Sequence, residues 1–156
     1  MPSILLVQQS RTGGTAQLAD SFAVGVDMAN AELATPVDLA RVAALDAGPA
    51  DVLDADAIAI ATPEHFGSMA GATKVFFEEI WHDCLDLTVG RPWQLLVKAG
   101  NDGSGTVESV QRLVTGLRWT EFRPPLVVAG DVDESHLEHA MELGGSLALS
   151  LDAGLV

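Results

Sequence analysis

At 156 residues, 48% of them hydrophobic, the chain is long enough to bury one sizeable core and too apolar for a disordered polymer. Its 22 acidic against 8 basic residues give a formal net charge of -14, which argues against binding a nucleic-acid backbone or an anionic membrane surface. No apolar run reaches membrane-spanning length, and a lone cysteine, Cys84, permits no intrachain disulfide. The opening "MPSILLVQQSRTGG" has no basic stretch before its apolar run, so no signal peptide and a cytoplasmic location are expected.

In chain order, "SILLVQ" at 3–8 predicts a first strand. Leu18, Phe22, Val26 and Ala29 then recur at helical spacing, predicting a helix from Thr15 to about Asn30. "ELATPVDLA" at 32–40 is a second strand interrupted by Pro36, and 41–54 has room for a short helix. "ADAIAIA" at 55–61 is a near-continuous apolar third strand, followed by a helix marked by Met69, Ala72, Phe76 and Ile80. "WQLLVK" at 93–98 gives a fourth strand, and Val107, Val110, Leu113, Val114 and Leu117 a further helix. "LVVA" at 126–129 is a short fifth strand. A last helix runs from about Ser135 to Leu151, with Ser135 and Glu138 as its expected capping box.

This alternation predicts a single α/β domain over 1–156, a three-layer αβα sandwich around a doubly wound, five-stranded parallel sheet. Proline cannot donate to a ladder and belongs at sheet edges. Pro36 in the second strand, and Pro124 and Pro125 before the fifth, put those two strands outside. The third strand has no polar face and belongs inside, which favours the order 2-1-3-4-5 over 3-2-1-4-5.

Ligands of such sheets bind beyond the carboxyl ends of the strands, where the strand order reverses. Three glycine-rich loops leave those ends, at 8–15, 62–71 and 99–106. In the first, Ser10, Thr12 and Thr15 offer hydroxyls, while Gly13 and Gly14 present backbone N–H groups at a helix start. That chemistry grips phosphate without a lysine, and screening over about 8 Å separates it from the global charge. A strand-to-helix turn favours the same residues, so this loop alone leaves a purely structural role open. There is no G-x-x-x-x-G-K-[ST] and no G-x-G-x-x-G, and Ser68 in "GSMAG" is not placed as a nucleophile elbow.

"SILLVQQSRTGGTAQLADSFAVGV" resembles the opening of the flavodoxin-like family, particularly its branch of NAD(P)H-dependent quinone and FMN reductases. "DADAIAIATPEHFGSMAGATKVFFEEIW" is the most specific part of the resemblance; "KAGNDGSGTVES" and "HAMELGGSLALSL" resemble the family's third flavin loop and closing helix. The resemblance implies non-covalently bound FMN. By position, Ser10, Arg11, Thr12, Gly13, Gly14 and Thr15 would hold the phosphate. Pro63, Glu64, His65, Phe66 and Gly67 would border the isoalloxazine ring, with Phe66 or His65 stacking on it. Ala99, Gly100, Asn101, Asp102, Gly103 and Gly105 would line its other edge. Glu64 and Asp102 are expected to disfavour an anionic reduced flavin and so lower its potential.

The resemblance implies an oxidoreductase that passes electrons from NAD(P)H to a quinone or similar acceptor. A flavodoxin-type electron carrier, serving a redox partner protein, is the first alternative, and a flavin-free interaction domain the second. Family aromatics are missing: Gln8, Gln9 and His65 stand in their places, and there is no tyrosine. Trp93, Trp81 and Trp119 fall away from the three loops, which leaves room for weak flavin binding or for a homo-oligomer that completes the site. No catalytic side chain is identified beyond His65, itself open to a plain surface role. His136 and His139, three residues apart on one helix beside Glu138, lack further ligands, so no metal is expected. Cys84 is expected in the core.

Overall fold

Strands that read as unbroken apolar runs are covered on both faces. The computed structural model describes residues 1–10 and 13–156. In chain order the elements are β1 (Ser3–Gln8), α1 (Gly13–Asn30), β2 (Asp38–Ala43), α2 (Pro49–Asp54), β3 (Ala57–His65) and β4 (Ser68–Met69). They continue as α3 (Gly71–Cys84), β5 (Pro92–Ala99), α4 (Ser104–Leu117), β6 (Thr120–Glu121), β7 (Leu126–Ala129) and α5 (Glu134–Asp152).

β1 pairs with β2 and β3, β3 with β5, and β5 with both β6 and β7, all parallel. The order is therefore 2-1-3-4-5, with β5 in fourth place and β6 and β7 sharing the fifth. Val7 lies opposite Val42 on one side and Ile60 on the other, at the heart of the register. β3 is buried from Ala57 to Pro63, whereas every residue of β2 keeps some exposure, as interior and edge positions require.

The structure differs from the sequence expectations in four places. Pro36 lies ahead of β2, because the Asn30 side chain claims Val37: its amide donates to the Val37 carbonyl and accepts from the Val37 N–H, both at 2.8 Å. The ladder starts only at Asp38. The fifth strand is split: β6 and β7 flank a gap at 122–125 that holds Pro124 and Pro125. Buried Gln94 of β5 faces this break and donates to the Pro124 carbonyl at 3.2 Å. β4 is an unforeseen two-residue strand that folds back antiparallel on the end of β3. Finally, α5 starts one residue early, and its capping pair is Asp133 with His136 rather than Ser135 with Glu138. The Asp133 carboxylate accepts from the His136 N–H at 3.2 Å, and His136 Nδ1 accepts from the Asp133 N–H at 3.1 Å. That hydrogen bonding gives His136 a structural role. Among the described residues no cluster of three or more His, Cys, Asp or Glu could hold a metal ion.

The two faces of the sheet are packed differently. The core on the side of α2, α3 and α4 holds Phe76, Phe77, Trp93 and Trp119, with the Phe76 and Phe77 rings edge-on at 5.3 Å. Against α1 and α5 the contacts are mainly aliphatic, from Ile4, Leu6, Leu18, Val26 and Leu147. There the helices touch through backbone: a Cβ on Gly25 would strike the Met141 carbonyl, and one on Gly144 the Phe22 carbonyl. Truncating a buried phenylalanine costs about 3–5 kcal/mol. The exposed pairs Lys74–Glu78 and Arg112–Glu108 are worth about 0–1 kcal/mol each. Apolar packing, not ion pairing, holds the fold. Cys84 is fully buried, and burial followed by the Asp83 charge pushes its thiol above the usual range, which leaves it unreactive.

Candidate functional site

β1, β3 and β5 run parallel side by side, so their carboxyl ends form one rim of the sheet. The turn into α1, the β3–β4 hairpin and the turn into α4 all leave from this rim, as the sequence predicts. The Arg11 and Thr12 phosphate assignments lie outside the described residues.

The first loop is anchored at its base. The Gln9 N–H donates to the Ala61 carbonyl at 3.0 Å, and the Ala44 N–H to the Gln8 carbonyl at 3.0 Å. Ser10 and Gly13 are exposed, Gly14 is half-buried and Thr15 is fully buried. The Thr15 hydroxyl nevertheless has no hydrogen-bond partner among the described residues. A buried hydroxyl left unpaired costs roughly 1–3 kcal/mol. Thr15 also stands in the first helical turn, where backbone N–H groups lack intrahelical acceptors. Among the described residues the Thr15 hydroxyl at this helix start is thus without a partner, and a helix start is a favourable place for an anion.

The second loop is a tight hairpin. Glu64 pairs with Met69 and His65 with Ser68, leaving Phe66 and Gly67 as the turn. Both turn residues have positive φ, 53° and 72°, the combination that suits a two-residue hairpin. Glycine adopts it freely; a phenylalanine there costs about 1 kcal/mol. The Phe66 ring, at 108% relative exposure, gains no packing in return. Core packing therefore does not account for an aromatic at this position. Beneath the hairpin, buried Thr62 Oγ1 accepts from the Ala70 N–H at 3.2 Å and the Thr73 hydroxyl at 3.0 Å.

The third loop is bound to the second. The Glu64 carboxylate accepts from the Asn101 N–H at 2.7 Å and the Gly103 N–H at 3.0 Å. Ser109 Oγ of α4 accepts from the Met69 N–H at 3.2 Å. Gly105 lies flat on the Gly67 carbonyl, where a Cβ would collide. Asp102 turns back on α4, accepting from the Ser104 N–H at 3.0 Å and its hydroxyl at 2.9 Å. Those bonds hold the Asp102 carboxyl below its usual range, the backbone bond contributing most. Gly100, Asn101 and Asp102 are exposed on the rim, whereas Ala99 and Gly103 are buried behind it and shape the loop. Pro63 is likewise buried, and Glu64 and His65 are half-buried.

Two contributions were not legible beforehand. Thr62, Thr73 and Ser109 support the hairpin from beneath. Lys98, at the end of β5, lays its stem across the start of α1, 2.9–3.1 Å from where a Cβ on Gly14 would stand. The available signal was alternation: in "WQLLVK" Lys98 shares a face with Leu96, which packs with α1 and α5. Trp93 is buried at the amino end of β5, and the groove of about 330 Å3 lined by Phe77, Trp81 and Leu113 runs along the α3–α4 flank. Neither includes a residue of the three loops.

A parallel 2-1-3-4-5 sheet with three glycine-bearing loops on its carboxyl rim defines a flavodoxin-like fold. Solved structures agree across nearly the whole chain. A flavodoxin from the domain Archaea superposes with a TM-score of 0.79 at 17% identity, covering 96% of this chain and 98% of that one. The flavodoxin, WrbA-like protein from Agrobacterium tumefaciens gives 0.74 at 16% identity, covering 99% of both. Rubredoxin oxygen:oxidoreductase from Desulfovibrio gigas gives 0.81 at 13% identity, covering 99% of this chain but 37% of that one. No family model and no curated protein matches the sequence.

Proposed function

We propose that this chain binds FMN at the carboxyl rim and works as an electron-transferring oxidoreductase. The observation that carries this reading is the fully buried hydroxyl of Thr15 at the first turn of α1, without a partner among the described residues, on the same rim as the exposed Phe66. When bound, FMN supplies the electron-accepting chemistry; the protein supplies position and electrostatics. Thr15, Ser10 and the N–H groups of Gly13 and Gly14 are the phosphate ligands. Phe66 covers the ring, and Gly100, Asn101 and Asp102 border its other side. Glu64 acts at one remove: its carboxylate holds the N–H groups of Asn101 and Gly103, so it fixes the loop as well as setting local charge.

Electrons pass from NAD(P)H to a quinone or similar acceptor in the reading that the sequence resemblance favours. A flavodoxin-type electron carrier is the alternative; the archaeal flavodoxin and the WrbA-like protein match the chain over nearly their whole lengths alike, so the fold does not choose between the two readings. The first experiment is a visible spectrum of the purified protein with and without added FMN. A colourless protein that leaves millimolar FMN free in equilibrium dialysis removes both versions. If flavin binds, stopped-flow bleaching by NADH or NADPH separates them: rapid bleaching marks the reductase, and none within minutes marks the carrier.

A further inference from the structure

Among the described residues, Arg41, Lys74, Arg112 and Arg118 each pair with a carboxylate. Arg91 donates to the carbonyls of Val52 and Ala55, and Arg123 lies 4.5 Å from the centre of the Phe122 ring. Lys98 differs. Its stem crosses Gly14 in the first turn of α1, and Nζ donates at 3.1 Å to the carbonyl of its own neighbour, Ala99. No carboxylate among the described residues pairs with it, in a chain with a net charge of -14. Half-buried Lys98 is therefore held beside the helix start whose Thr15 hydroxyl also lacks a partner among the described residues. Only a residue without a side chain at position 14 lets the stem pass so close.

We propose that Lys98 selects the phosphorylated flavin: its ammonium exchanges the Ala99 carbonyl for the FMN phosphate and discriminates against riboflavin. This deepens the FMN reading and rests on it. A phosphate monoester brings about two negative charges near neutral pH, which the surrounding acidic surface opposes. Backbone donors carry only partial charge. A flexible lysine stem brings a full, compact charge to the same place. The ammonium meets the ring-binding loops only through the Ala99 carbonyl, so loss of its charge is expected to weigh on FMN and little on riboflavin.

The test is titration of FMN and of riboflavin into the wild type, Lys98→Met and Lys98→Arg, followed by quenching of flavin fluorescence. Lys98→Met keeps the stem over Gly14 and removes the charge. It is expected to weaken FMN about tenfold, the size of one partly screened charge pair, and to leave riboflavin unchanged. Lys98→Arg is expected to retain most of the preference for FMN. That preference should also shrink with added salt, more steeply in the wild type than in Lys98→Met. Equal weakening of both flavins, or no change in either, overturns the assignment while the FMN reading stands. A wild type that binds riboflavin as tightly as FMN overturns it too. A wild type that binds neither flavin overturns the FMN reading, and this assignment with it.

Discussion

The two parts of the rim are built on opposite plans. The β3–β4 hairpin and the turn into α4 are closed on each other: Glu64 holds two backbone N–H groups, Ser109 holds a third, and Gly105 seats the Gly67 carbonyl. In the first turn of α1 the buried Thr15 hydroxyl has no partner among the described residues; the buried Thr106 hydroxyl in the first turn of α4 likewise has none, so the difference between the two parts lies in these cross-links. A ring needs a rigid slot of fixed shape, whereas a phosphate needs donors kept free for it.

Four changes break or sharpen that contrast. The largest effect is expected from Gly105→Val, which drives a branched side chain into the Gly67 carbonyl. Overpacking of this kind costs about 1–3 kcal/mol, read as a drop in the urea midpoint, and should abolish flavin binding. Next is Glu64→Gln, in which an NH2 group opposes one of the two N–H donors. A loss of about 1–2 kcal/mol in stability is expected, together with weaker flavin binding; unchanged stability would show that the closed part is not closed by Glu64. Thr15→Val tests the open part and predicts a split: unfolding stability constant or slightly raised, because a costly unpaired hydroxyl is gone, and FMN affinity lower by about 1 kcal/mol, roughly fivefold. A fall in stability equal to the fall in affinity would make Thr15 an ordinary core residue. Phe66→Gly should gain up to about 1 kcal/mol by relieving the left-handed backbone, while flavin affinity falls by about 1 kcal/mol through the lost ring contact.

The smallest effect is a pH dependence away from the rim. The Ser135 hydroxyl first, then the His136 N–H, hold the Asp133 carboxyl below its usual range. A depressed folded value means that the contribution is present above the unfolded aspartate range, near pH 4, and is lost as pH falls through the lower folded value. The protection of amides in the first turn of α5, taken relative to their intrinsic exchange rate at each pH, should therefore fall on acidification toward about pH 3. In Asp133→Asn, which still caps but does not titrate, that pH dependence should disappear.

The sheet was legible in the sequence because burial on both faces writes itself as unbroken apolar runs such as "AIAIA", and LVVA is found at 126–129 as read. The three loops were legible because glycine marks turns. What escaped depends on partners far away in sequence. Nothing near Val37 announces that Asn30 will occupy its backbone, and nothing in "TPEHF" announces that Glu64 will bind Asn101. β4 hid because its turn uses Phe66, a residue that local preference would not place at positive φ. Lys98 was read as the end of a strand, and only the crossing of α1 over β5 gives it a neighbour at Gly14.

The gap between β6 and β7 also bears on how copies of this chain can meet. A continuous outer strand invites another molecule to add its own strand and extend the ladder. Here that border is two short pieces separated by Pro124 and Pro125, with Gln94 already bonded to the Pro124 carbonyl. Strand-by-strand stacking along this side stops after four residues at most. On the opposite border β2 is a continuous six-residue edge, so extension of the ladder by another copy is less obstructed there.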